Sequence, residues 1–190
     1  MAAEDRWPPI HDFEGLIEYI DELAKTDALA AKFWSMGDLQ DQRLPSPCHG
    51  DVLELSAPIP VIADDGEPAL TDDRSHWLVI GNSCDSDRDM SDGREWTQIV
   101  PLADLGDASE LGKSKLAQLK QYDAYRGFYV PPWPGGDDRH RLANFMQPVT
   151  LHRGAIGSHA KVVARMQRQS WVLLHACLIR FYARSDGRHD

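Results

Sequence analysis

Proline sets the terms for the middle of this chain. Pro58 and Pro60 confine the apolar stretch Ile59–Ala63 to a sheet edge or a loop arm, because proline cannot donate to a strand ladder. Pro131 and Pro132 stop Phe128–Val130 after one short strand. With twelve prolines and fourteen glycines in 190 residues, the chain is expected to turn often and to hold few long helices. It is long enough for one domain, burying roughly 70% of the surface that the unfolded chain exposes. An apolar content of 42% and a charged content of 26% belong to a globular protein rather than a disordered one.

Periodicity assigns the elements between these punctuation marks. Asp12 is placed to cap a helix over Phe13–Lys25, whose Phe13, Leu16, Ile17, Ile20, Leu23 and Ala24 recur on one face. A second short helix is read over Ala28–Trp34. Asp51–Leu55 alternates acid and aliphatic like a half-buried strand, and His76–Gly81 and Glu95–Leu102 read as two further strands. Acidic loops, Asp64–Ser75 and Asn82–Arg94, lie before and between the last two. Glu110–Tyr125 has helical spacing, with Leu111, Leu116, Leu119 and Tyr122 inward. Phe128–Val130, Leu142–Leu151 and Ala160–Met166 complete five or six strands, with Trp133–Arg141 as a loop. Ser170 is read as the cap of a last, largely buried helix over Trp171–Arg184.

Charge and thiols narrow the setting. Thirty acidic against twenty basic residues give a net charge of −10, which disfavours general phosphate-backbone binding and suits a protein partner with a basic surface. Three cysteines, an odd number, and no recognisable leader point to free thiols in a reducing cytoplasm. The longest apolar run, Trp171–Ile179, is too short to span a bilayer, so no membrane role is expected. Oligomeric state is not legible.

Four constellations have the residue types for chemistry. Cys48, His49, Cys84 and Asp85 are a possible zinc set, since zinc takes about four such ligands, although neither cysteine has a C-x-x-C partner. The plainer reading is two small residues at loop ends and no cofactor. A thiol nucleophile at Cys84, with His49, His76 or His175 as base, needs a geometry that sequence does not supply. Asp85, Asp87 and Asp89 open like a calcium loop, but Met90 and Trp96 stand where Gly and Glu are required, leaving a solvated acidic loop. Tyr125, Phe128, Tyr129 and Trp133, with Arg126, Arg139 and Arg141, read first as core, then as a protein interface, and last as a base-stacking surface. Signatures for nucleotide, dinucleotide, hydrolase-elbow and zincin chemistry are absent.

The order Gly50-Asp51-Val52, a loop ending in Arg74, Trp77-Leu78-Val79-Ile80 and Ile99-Val100-Pro101-Leu102 resembles the MazF/PemK toxins over about Gly50–Ala103. These are small SH3-like barrels of bacterial toxin–antitoxin modules. The resemblance implies a fold and, through Arg74, a ribonuclease residue; Ala103 stands where the family has its hydroxyl. The expected class is therefore α+β: a small, strongly bent β-sheet or partly open SH3-like barrel packed by N- and C-terminal helices. Residues 1–47 form the helical segment and 48–190 the barrel-like domain, folding as one unit.

Three functions follow. The first is a noncatalytic bacterial interaction or regulatory protein linked to a defence or toxin–antitoxin system, contacting its partner through Asp85, Asp87, Asp89 and Trp133. The second is an endoribonuclease of altered type using Arg74, with Thr97, His76 or His49 replacing the missing hydroxyl. The third is a metal- or thiol-dependent enzyme centred on Cys84.

Overall fold

A computed structural model describes residues 18, 31–35, 37, 47–63, 65–71, 75–81 and 95–183. In chain order these form β1 (Phe33–Trp34), β2 (Asp51–Leu55), β3 (Pro60–Ile62), β4 (Pro68–Leu70), β5 (His76–Val79) and β6 (Trp96–Gly106). There follow α1 (Ala108–Leu119), β7 (Gly127–Val130), β8 (His140–Asn144), β9 (Val149–His152), α2 (Arg153–His159), β10 (Ala160–Met166) and α3 (Arg168–Ala183). The helix expected over Phe13–Lys25 lies outside the described residues, apart from helical Glu18.

The main sheet is antiparallel, in the order β1-β10-β2-β5-β6-β8-β7, with β9 also on β6. The eleven-residue β6 makes the sheet curl. One of its edges pairs with β5 over Ile99–Pro101. The other is divided, Trp96–Ile99 pairing with β9 and Leu102–Gly106 with β8. Register breaks at Asp104/Gly106 and at Val162/Ala164 add the extra twist of bulged strands. The result is a strongly curled half-barrel with helices, in agreement with the α+β expectation.

Trp77-Leu78-Val79 is continuously apolar because β5 is buried on both faces. Val52, Leu78 and Val100 enter the larger core with Leu173, Leu174, Cys177 and Leu178 of α3. Leu53, Trp77, Val79 and Ile99 point the other way, onto Ile156 of α2. The period of two in each strand thus serves two cores.

Several expected boundaries shift. Phe33–Trp34 pairs with Met166 and Arg165 as a strand instead of ending a helix. The acidic loop before Ser75 contains β4, which joins β3 in a separate two-stranded sheet. A turn at 145–148 divides the stretch Leu142–Leu151 into β8 and β9. Helix α1 begins after Asp107, whose carboxylate accepts from Ser109 N and Glu110 N while the Glu110 carboxylate accepts from Asp107 N. It ends at Leu119, so Tyr122 is buried from the following turn. Ser170 lies inside α3, and its hydroxyl accepts from Lys32 N at 2.6 Å.

Candidate functional site

At the start of β5, Ser75 and His76 face Ala103 and Asp104 of β6 and Asp137 and Arg141 from the β7–β8 segment, around a cleft of about 480 Å³. Local sequence explains its floor. Pro131, Pro132 and Pro134 stiffen the approach to Trp133, and Gly136 folds back over the indole, where a Cβ would fall 2.5 Å from Nε1. Trp133 is consequently buried, packed on Phe33 and His76. Trp133, which the sequence reads as core or as a partner contact, has its indole buried, while the loop after it, 134–138, is exposed.

Arg141 lies over Trp133, 4.5 Å from the ring centroid. Its Nη1 donates to Arg139 O at 3.1 Å and its Nη2 to Asp137 Oδ2 at 2.7 Å. At the rim, Arg139 donates to Asp104 and sits 3.8 Å from Glu110. The Arg141 hydrogen bond holds Asp137 below the usual carboxylate range. Burial alone would raise Asp104, but the Gly106 N–H and Arg139 outweigh it and hold it low. His76 is lowered by burial first and by Arg141 second, which favours a neutral ring. Its Nδ1 is 2.9 Å from Ser75 Oγ.

A second polar cluster lies at the other end of β5. Cys48 and His49 precede β2, and Asp51 fixes the turn by accepting from Cys48 N at 2.7 Å. Asp51 is wholly buried and takes two 2.7 Å bonds from Arg165, so the expected solvent-facing acid is an interior ion pair. Burial pushes Asp51 up against the pull of Arg165 and Cys48 N–H, while Asp51 pushes Arg165 up. His49 Nδ1 meets Ile80 O at 3.1 Å and Gly81 O at 3.2 Å. Its ring packs 5.1 Å from His175 and 5.9 Å from Trp171. Burial, then His175, lowers its pKa to about 4. Thr97 is buried close to Gly81, where a Cβ would collide with Thr97 Oγ1.

The structure thus divides the expected ribonuclease set. His76 opens the cleft, whereas Thr97 and His49 flank Gly81, about five residues or ~16 Å further along the strand direction. Arg74 lies outside the described residues, next to cleft-lining Ser75. Cys48 and His49 adjoin, but Cys84, Asp85, Asp87 and Asp89 also lie outside. Among the described residues no group of three or more His, Cys, Asp or Glu could hold a metal ion. Nor is any described helix long and apolar enough to cross a membrane.

Arg139 and Arg141 group with the aromatics in the sequence, whereas Asp104 and Asp137 do not stand out there as their partners. The signal available was Asp137-Asp138-Arg139-His140-Arg141 itself, a run of charge directly after a Pro-Gly-Gly turn. Comparison with family models, curated proteins and solved structures finds no match.

Proposed function

We propose that this protein is a noncatalytic interaction or regulatory protein of a bacterial defence or toxin–antitoxin type system, binding a protein partner with a basic surface. One observation carries this reading. In the cleft where the toxin resemblance would place its chemistry, Ala103 presents a methyl group, and Arg139 and Arg141 are each matched to an aspartate. With each guanidinium already facing a carboxylate, neither cation stands open to a developing charge in this arrangement. The net charge of −10 and the exposed Asp65 and Glu67 at the tip of the β3–β4 hairpin suit a basic partner.

The test is capture of a partner from the native host by tagged protein, at low and high salt. The reading expects retention that falls with salt and that weakens when Asp85, Asp87 and Asp89 are neutralised together. It fails if no partner is retained at low salt.

A specific observation favours a second reading, the altered endoribonuclease: Ser75, adjacent to Arg74, shares the cleft with His76 and Ala103. It expects growth arrest on expression that Arg74→Ala abolishes.

A further inference from the structure

Arg141 and its anion are held very unequally. The guanidinium side chain is 4% exposed, clamped between Trp133 and the Arg139 carbonyl. The Asp137 carboxylate that meets it is 48% exposed and belongs to the loop that carries Gly135 and Gly136. A buried guanidinium is strongly unfavourable without an anion, so the position opposite Nη2 must stay filled. A half-exposed carboxylate on a loop is replaceable there by another anion of similar shape. Ser75 Oγ and His76 line the same cleft, and a Ser75 hydroxyl donating to His76 Nδ1 leaves Nε2–H as the imidazole's donor.

We propose that Arg141 and the Nε2–H of His76, whose tautomer Ser75 sets, form an oxyanion site for a carboxylate or phosphate group, in which Asp137 is a displaceable plug. The site goes beyond the partner-binding reading and does not depend on it. The shared chemistry is a planar or tetrahedral group with two oxygens, one of which takes the place of Asp137 Oδ2. The cleft of about 480 Å³ leaves room for the rest of the ligand above Leu102 and Ala103.

The experiment is chemical rescue. The Asp137→Ala protein is titrated with sodium acetate and, separately, with sodium phosphate at constant ionic strength and pH 7. Thermal unfolding and the Trp133 indole N–H resonance are followed together. The unplugged protein is expected to melt below the wild type and to recover saturably. Its Tm should rise roughly 5–10 °C at a hundred times the half-saturating concentration. The Trp133 signal should shift along the same isotherm, and wild-type protein should need at least tenfold more anion. A stronger acetate response marks a carboxylate ligand and a stronger phosphate response a phosphate ligand; either supports the site. The same response in Asp137→Ala/Arg141→Gln, or none in Asp137→Ala, overturns it. If Asp137→Ala does not fold, Asp137→Asn, which keeps the volume and removes the charge, is read in the same way.

Discussion

The hydroxyl of Tyr122 accepts from Ala31 N at 3.2 Å and donates to Tyr129 O at 3.1 Å. Ala31 leads into β1 and Tyr129 lies in β7, the two ends of the curled sheet, so one side chain ties the ends together. Tyr122 is buried with φ at +54°, a left-handed conformation uncommon for tyrosine. Its carbonyl is held in turn by Arg180 of α3.

Removing that hydroxyl should loosen the closure without emptying the core. Tyr122→Phe keeps the ring against Phe128 and Tyr129 but leaves Ala31 N–H and Tyr129 C=O without this partner. The expected loss is about 1–3 kcal/mol of stability. Urea unfolding should show it, with faster amide exchange at Ala31 than at Val100. Unchanged exchange at Ala31 would mean that the hydroxyl does not hold the sheet ends.

The buried pair of Asp51 and Arg165 should behave as a unit. Asp51→Asn sets a neutral amide in place of the carboxylate against a guanidinium of low exposure and is expected to cost about 3–5 kcal/mol. Asp51→Leu combined with Arg165→Met should be markedly less destabilised than the sum of its single variants, because each single change takes away the same Asp51–Arg165 interaction. Denaturant midpoints of the four proteins decide this, and simple additivity would count against a coupled pair.

What the sequence made legible was the pattern that depends on neighbours along the chain. Ala160–Met166 and the apolar cores of β5 and β6 were readable because alternation and apolar runs report burial directly. Asp51 was misread because alternation assigns a charge to solvent, while its partner Arg165 stands 114 positions away. Core and interface both remained open for Trp133 because its burial depends on Phe33, His76 and Arg141 arriving from three other segments. The cleft was hidden for the same reason, as its walls come from β5, β6 and the β7–β8 segment. Nothing in the spacing of His76, Thr97 and His49 revealed that β5 holds them apart.

Acid should weaken the fold through His49. Its pKa falls from 6.5 in the unfolded chain to about 4 in the folded protein, so the unfolded state binds the extra proton between those values. The contribution is complete above pH 6.5 and is lost as the pH falls toward 4, amounting to about 3 kcal/mol across that window. His175, lowered by burial, acts in the same direction. An NMR titration should find the His49 ring neutral at pH 5.5, and stability should already be declining there. A His49 midpoint near 6.5 would contradict the burial argument.

Thr97 separates the interaction reading from the ribonuclease reading in one variant. Its Oγ1 is buried beside Gly81 and has no hydrogen-bond partner among the described residues. A buried hydroxyl in that state adds little to the fold, and valine replaces it with a methyl of nearly the same shape. Thr97→Val should therefore leave stability unchanged or raise it by up to ~1 kcal/mol, measured by thermal and urea unfolding. Partner capture from the host should be undisturbed, because the side chain does not reach the surface. If Thr97 supplies the hydroxyl that Ala103 lacks, the same variant stays folded but loses any growth arrest and RNA cleavage seen on expression. A stable Thr97→Val protein that still arrests growth would remove Thr97 from the chemistry and leave His76, the histidine that lines the cleft, as the remaining candidate there.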